Sequence, residues 1–407
     1  MPTSPVVSKT QPADLQSLEK SLTSATAKKR FFVPAAIVAF IIFAVINVGC
    51  FLRFGSDDTV KGSAGDSNRD LWSGAGSIDI TTRGFQQLRQ TPQVVLLGSS
   101  LIMHPFWSMD AELGSFGDIF HHHQSYTLAH DLGLAGVANP CVYSLAVFGE
   151  MISDAYIYVN EYLKGDKKPQ VIVFGIAPRD FSDDDLPSPT ASFTFKRLIG
   201  LKNFARYADA YMPGWAERSE FIANQACFLY SKRWRVQHEV ARAIEKGFQK
   251  SGIVSDATGD NGNMRANDHA GFMLGGTREE RFVISTKEYA RRYRNIGEKD
   301  LSLQKDFLER ILATCQERGI KVLLVNMPLT VTNRGLLPPG FYDSYRAAVA
   351  RIAGRHEQTQ LIDLGDSSVF KDVDYWDTAH LNNKGGHKLL TCIEPAIRQM
   401  LLPTKHN

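Results

Sequence analysis

Five short runs of apolar and β-branched residues recur along the chain, at 93–98 (QVVLLG), 136–146 (GVANPCVYSLA), 170–176 (QVIVFGI), 320–327 (IKVLLVNM) and 360–364 (QLIDL). Four of them are nearly continuous in apolar residues, the composition of strands covered on both faces. Between them lie amphipathic stretches with helical spacing, such as 150–164 before the third run and 302–319 before the fourth, the latter closing on Gly319 where a helix C-cap belongs. Strand–helix alternation of this kind predicts an α/β fold, a three-layer sandwich around a five-stranded, mainly parallel sheet.

One interval does not fit a single crossover. Residues 180–300 are too many for one connection and read as a helical insertion or cap. Its stretch 277–295 is rich in arginine, which suits either a solvated helix face or a site for an anionic substrate or lipid headgroup.

Ahead of the first strand, residues 31–52 (FFVPAAIVAFIIFAVINVGCFL) carry no ionisable side chain over a length sufficient to cross a hydrocarbon layer of ~30 Å. A cleaved secretory signal fits less well, because the apolar run is too long and no small-x-small site follows it. A lipidation signal ending at Cys50 fits less well because Asn47 stands where an aliphatic residue belongs. Lys28, Lys29 and Arg30 precede the run while Asp57 and Asp58 follow it, so the positive-inside rule keeps the N-terminus cytoplasmic. The expected organisation is a disordered cytoplasmic tail (1–30), a single-pass anchor (31–53), a linker (54–90) and an extracytoplasmic domain (91–402) at the cell membrane.

Forty-six basic against 43 acidic residues leave +3, too balanced for a nucleic-acid partner. The five cysteines (Cys50, Cys141, Cys227, Cys315, Cys392) show no C-x-x-C spacing, and neither a zinc site nor a disulfide follows from them. His121, His122 and His123 invite a metal reading, but no accompanying ligand spacing supports one and a polar loop is the expected outcome. No metal or cofactor is implied.

In a parallel α/β sheet, ligands collect at the carboxyl ends of strands, beside helix N-termini. The first strand ends there in Gly98-Ser99-Ser100, which by itself is also what a tight turn with a capping serine looks like. Near the other end of the chain, Asp377 and His380 precede a helix whose apolar residues Leu389, Leu390, Ile393, Ile397 and Leu401 form one stripe able to pack on the sheet. A nucleophilic serine needs a base within hydrogen-bond reach and a carboxylate to orient that base, and Ser100, His380 and Asp377 can fill these roles. Asp363 and Asp374 are alternative orienting acids.

These two blocks resemble those of the SGNH (GDSL-type) hydrolase superfamily. Its opening G-D-S-L matches Gly98-Ser99-Ser100-Leu101, with Ser99 at the usual aspartate, and its closing D-x-x-H matches Asp377-Thr378-Ala379-His380. The resemblance spans about 91–400 and implies the SGNH/flavodoxin-like sandwich, with Ser100 as nucleophile and an oxyanion hole from the N–H groups of Ser100 and Gly149. The third block departs from the pattern: in "GIAPRD" Gly175 matches, but Ala177 replaces the asparagine that would donate to the oxyanion. Losing one such donor costs about 10²–10³ in rate, so Arg179, Asn139 or another donor compensates, or the site is slow or inactive. Arg179 and Asn139 are accordingly candidate substrate-binding residues. The phrase around 168–181 is similar to membrane-anchored members that act on extracytoplasmic polymers, as in alginate O-acetylation and teichoic-acid D-alanylation. That branch implies an acyl-ester donor, a glycan acceptor and a membrane-bound O-acyltransferase as partners. An esterase or deacetylase of the same fold, and a non-catalytic glycan-binding or assembly subunit, are the competing expectations.

Overall fold

A computed structural model describes residues 37–49, 52, 75–114, 118–186, 188–231 and 276–402. It divides the chain into two units, one drawn from Gly62–Gly214 and Gly259–Asn407, the other from Met1–Lys61 and Trp215–Thr258.

The larger unit runs α1 (Ala75–Gln87), β1 (Val94–Gly98), α2 (Ser100–Glu112), α3 (Tyr126–Leu134), β2 (Val142–Ser144), α4 (Ile152–Glu161), β3 (Val171–Ile176), α5 (Phe193–Leu198), α6 (Arg278–Arg292), α7 (Glu298–Glu317), β4 (Lys321–Asn326), α8 (Phe341–Ala353), β5 (Thr359–Asp363) and α9 (Asn383–Leu401). The strands form one sheet in the order β2-β1-β3-β4-β5, every neighbouring pair parallel. The continuous apolar runs are explained by burial on both faces: Val94, Leu96, Val173 and Leu324 have no exposed surface. Helices α2, α3 and α9 pack together over one face, α4, α7 and α8 over the other. The second strand is much shorter than its apolar run, because Asn139 takes a left-handed conformation (φ 46°) and Pro140 offers no N–H to a ladder, so 136–141 is a turn.

Two sequence expectations are redrawn. Within the expected linker 54–90, residues 75–87 form α1, whose Ile78 and Phe85 are buried and which packs on α5. The stripe is sparse among Gly, Ser and Thr, which is why composition reads it as linker. The interval 180–300 is not one body: α5, the helix Phe204–Tyr211 and α6 belong to the larger unit, whereas Trp215–Ala226 and Phe228–Ser231 belong to the smaller.

In the smaller unit residues 37–49 are helical with mostly exposed apolar side chains, and Asn47 is met by the Cys227 thiol at 3.3 Å. Among the described residues no helix is long and apolar enough to cross a membrane. The expected tail 1–30, the ends of the expected span at 31–36 and 50–51, and the linker as far as residue 74 lie outside the described residues. Cys141, Cys227, Cys315 and Cys392 are free thiols.

Candidate active site

In the order 2-1-3-4-5 the winding reverses between β1 and β3, and a crevice opens at the carboxyl ends of those two strands. Ser100 lies two residues past the end of β1, after Ser99, and is the first residue of α2. Gly98 makes the exit possible: with φ 126° it holds a conformation that side chains disfavour, and a Cβ there would meet the Gly175 carbonyl of β3 at 2.2 Å. Ser99 occupies the N-cap of α2 but makes no capping bond; its buried hydroxyl lies instead against Asp180. The pair of serines is therefore not explained by helix capping.

His380 arrives from the far end of the sequence. Its Nε2 lies 2.8 Å from Ser100 Oγ across 280 positions of chain, and its Nδ1 lies 2.7 Å from Asp377 Oδ2. Because an ionised carboxylate only accepts, Nδ1 carries the proton and Nε2 is the acceptor for the Ser100 hydroxyl. The other Asp377 oxygen accepts the N–H groups of Ala379 and His380, each at 2.8 Å. Burial pushes the Asp377 carboxyl up, but the electrostatic pull of the adjacent His380 and these hydrogen bonds outweigh it and hold the group below its usual value. All three side chains are buried, with Ser100 the most open at 9%.

The loop between them is fixed from several sides. Thr330 donates through Oγ1 to the Thr378 carbonyl at 2.6 Å, Thr378 N–H donates to Ser285 Oγ at 3.1 Å, and Trp376 N–H donates to the His380 carbonyl at 2.7 Å. His104, one turn beyond Ser100 on α2, bonds the Leu381 carbonyl through Nδ1 at 2.8 Å. Burial and the nearby His380 lower its pKa to about 4, so it is a neutral donor. Asn382 caps α9, whose Leu389, Leu390, Ile393 and Ile397 are buried; α9 lies against α2. Burial of such side chains contributes about 1.5–3 kcal/mol each, and this packing carries the loop to the nucleophile. Asp363 and Asp374 do not reach the imidazole: Asp363 binds Asn326 and Arg346, Asp374 binds Lys388 and the Lys371 N–H.

A cavity of ≈ 480 Å³ lies beside the nucleophile, with Ser100, Gly149, Arg179, Tyr289, Arg292 and His380 in its wall. Asn139 is not among its lining residues; it precedes β2, at the amino end of the strands, with its carbonyl facing the Gln90 amide at 3.4 Å. The sheet thus separates Asn139 from the site, and its candidacy as donor or substrate ligand is withdrawn. Arg179 does reach the cavity wall, within a buried ionic cluster that sequence reasoning did not assemble. Its guanidinium lies 3.3 Å from Asp183 and 3.6 Å from Asp180, and Arg292 of α6 closes on Asp183 at 2.5 Å. Burial raises Asp183, yet Arg179 and Arg292 prevail and keep it low; Asp154 and Asp180, where burial dominates, sit at about 6, and Glu150 is well above its usual range. The arginine-rich 277–295 segment is therefore mostly committed inward: Arg291 pairs with Asp185, Arg292 with Asp183 and Glu288, and Arg281 stacks on Trp376.

The histidine run is structural in two of its members. His122 Nε2 bonds buried Asp110 at 2.7 Å, His123 stacks on Tyr143, and exposed His121 pairs with Asp118. Among the described residues no group of His, Cys, Asp and Glu is arranged to hold a metal ion.

No family model and no curated protein matches the chain. By structure it is similar to a Streptococcus pneumonia protein provisionally described as a platelet activating factor, at 9% identity over 81% of this chain and 95% of that one, TM-score 0.38. It is also similar to a protein from Bacteroides fragilis provisionally described as an acylhydrolase, at 9% identity over 79% and 95%, TM-score 0.34. A third is a carbohydrate esterase whose active site displays divergent catalytic and non-catalytic binding functions, at 13% identity over 78% and 72%, TM-score 0.29. The functional reading rests on the side chains of the site, not on these likenesses.

Proposed function

We propose that the chain is a serine enzyme of ester chemistry, with Ser100 as nucleophile, His380 as base and then acid, and Asp377 as its orienting carboxylate. The observation that carries this is the continuous relay from Ser100 Oγ to His380 Nε2 at 2.8 Å and from His380 Nδ1 to Asp377 at 2.7 Å. Ser100 Oγ attacks the ester carbonyl as His380 takes its proton; the tetrahedral oxyanion is met by the N–H groups of Ser100 and Gly149. His380 then protonates the leaving alcohol, and an acyl-Ser100 remains. Water resolving that intermediate makes the protein an esterase, and a glycan hydroxyl makes it an O-acyltransferase.

More particularly, the reading is a membrane-anchored, extracytoplasmic O-acyltransferase of SGNH type that modifies a cell-surface or exported polysaccharide. Its support is the uncharged run 31–52 and the K/R bias before it. A tether near polymer export and near a membrane-bound acyl donor raises the local concentration of both partners without new contacts.

Labelling of the full-length chain with a fluorophosphonate probe tests the nucleophile. Loss of label in Ser100→Ala with retention in Ser99→Ala is expected; a folded wild-type chain that takes no label overturns the enzymatic reading in favour of a glycan-binding subunit. Incubation with p-nitrophenyl acetate and an oligosaccharide acceptor, followed by mass spectrometry of the glycan, separates the two fates of the acyl group. Release to water alone rules out transfer.

A further inference from the structure

The residue that carries the second oxyanion donor lies in an irregular loop between β2 and α4. Val147–Glu150 is a turn closed by the Glu150 N–H on the Val147 carbonyl at 3.4 Å, and its third residue, Gly149, has φ 71°. This is the pattern of a type II turn, which requires positive φ at that position. The Gly149 N–H belongs to the central peptide of the turn, takes no part in the closing bond, and donates to no group among the described residues.

Two attachments hold the turn. At its start, the Val147 N–H bonds the Gly98 carbonyl at 3.2 Å and the Glu150 carboxyl at 3.2 Å, tying it to the end of β1. At its third residue, Arg179 Nη2 donates to the Gly149 carbonyl at 2.6 Å. Arg179 is only 4% exposed, and it comes from the helical turn Pro178–Phe181 that follows β3. Nη2 also meets Met151 Sδ at 3.8 Å, the guanidinium forms ion pairs with Asp183 at 3.3 Å and Asp180 at 3.6 Å, and Asp180 in turn accepts the Ala177 N–H at 2.9 Å. One buried cation thus joins the loops after β2 and β3, the two that flank Ser100.

We propose that Arg179 is a positioning residue for oxyanion stabilisation: by gripping the Gly149 carbonyl it fixes the turn that presents the Gly149 N–H, in a site where Ala177 supplies no side-chain donor. The inference rests on the reading of Ser100 as nucleophile and adds to it. Arg179 acts here through Nη2, whose hydrogen bonds go to the Gly149 carbonyl and Met151 Sδ, while the rest of the guanidinium faces Asp183 and Asp180 as ion pairs. Without it, the Gly149 carbonyl loses its acceptor role and the turn is anchored at one end only. The oxyanion exists in the tetrahedral state and not in the bound ester, so the loss falls on kcat more than on KM.

The test compares full-length wild type, Arg179→Ala and Arg179→Lys with p-nitrophenyl acetate and with the rate of fluorophosphonate inactivation, whose tetrahedral adduct uses the same donors. Lysine keeps a charge for Asp183 and so guards against misfolding of the alanine variant; circular dichroism checks both. A fall in kcat of about 10²-fold is expected, toward the lower end of the loss for one oxyanion donor, with KM within about threefold and inactivation slowed in parallel. Added guanidinium ion should restore part of the turnover of Arg179→Ala and none of Ser100→Ala. Folded Arg179→Lys that turns over ester at the wild-type rate, or that changes KM alone, overturns the proposal while leaving Ser100 in place. A wild-type chain inert to both reagents overturns the nucleophile reading and this proposal with it.

Discussion

Replacing Asp377 by asparagine isolates the orienting role of the carboxylate with little change in shape. In the native site Asp377 accepts three hydrogen bonds, two from the N–H groups of Ala379 and His380 on one oxygen and one from His380 Nδ1 on the other. Asparagine has one acceptor oxygen, and the two backbone donors claim it; its NH₂ then faces Nδ1. Two donors cannot face each other, so the imidazole shifts its proton to Nε2, the atom that must receive the Ser100 proton. A base in the wrong tautomer costs about 10⁴ in kcat, or about 5 kcal/mol at 1.36 kcal/mol per decade. Stability should change little, because the backbone donors stay paired. Asp377→Ala differs: it leaves two buried N–H groups without acceptors, at about 1–3 kcal/mol each, and should lower the denaturation midpoint as well as the rate. Turnover of p-nitrophenyl acetate, with ¹⁵N spectra of the imidazole to report the tautomer, measures both effects. Asp377→Asn retaining more than a tenth of wild-type kcat would refute the argument.

Three further perturbations follow from the same geometry. Gly149→Ala forces a side-chain residue to hold φ 71°, at about 1–2 kcal/mol, while its Cβ clears Arg179 Nη2 at 3.6 Å; denaturant midpoints should fall modestly and ester turnover about tenfold or more. Gly386→Val puts a Cβ 2.9 Å from the Pro105 carbonyl and Met109 Cγ, levering α9 off α2, and a displacement of about 1 Å at His380 costs roughly 10² in rate; a variant with unaltered turnover would show the helices do not set the relay. Burial raises Asp154 to about 6, above its unfolded value near 4, so the contribution of this group to stability is lost as pH rises from about 4 through 6. Asp154→Asn should therefore gain stability relative to wild type above pH 6, of the order of 2 kcal/mol, and match it near pH 4, as urea titrations at the two pH values would report.

The sheet is legible in the sequence because doubly covered strands write long apolar runs, and four of the five lie within a residue or two of where they were expected. β2 is the exception, since its apolar run includes a turn imposed by Asn139 and Pro140. The relay is legible because a serine just past a strand end and an Asp-x-x-His before a closing amphipathic helix are both local patterns. What is not legible is everything made of long-range polar contact. His104 reads as one more residue of α2, and only the fold shows its Nδ1 on the Leu381 carbonyl. The cluster of buried Glu150, Asp154, Arg179, Asp180 and Asp183 with half-buried Arg292 is drawn from three segments, each of which looks like ordinary solvated charge. Arg291 and Arg292 illustrate the point: an arginine-rich helix suggests an anion site, yet its charges meet carboxylates that approach from residues 183 and 185.

The strand order also explains why the nucleophile and its base come from opposite ends of the domain. Winding begins at β1, moves outward to β2, then crosses back to β3 and proceeds through β4 to β5. The crossovers that carry the chain to β3, β4 and β5 lay α4, α7 and α8 on one face. The single crossover in the other sense lays α2 and α3 on the opposite face, where α2 packs on β1 and β3 and α3 on β2. The apolar surface of β4 on that face, and the part of β3 that α2 leaves open, must still be removed from water, and among the described residues the helix after the last strand does so. α9 accordingly contacts β3, β4 and α2. Helices α2 and α9 become neighbours for reasons of burial alone, and the residue opening α2 is then adjacent to the loop entering α9. Ser100 holds the former position and His380 the latter, so the 280 positions between them follow from how a 2-1-3-4-5 sheet covers its second face.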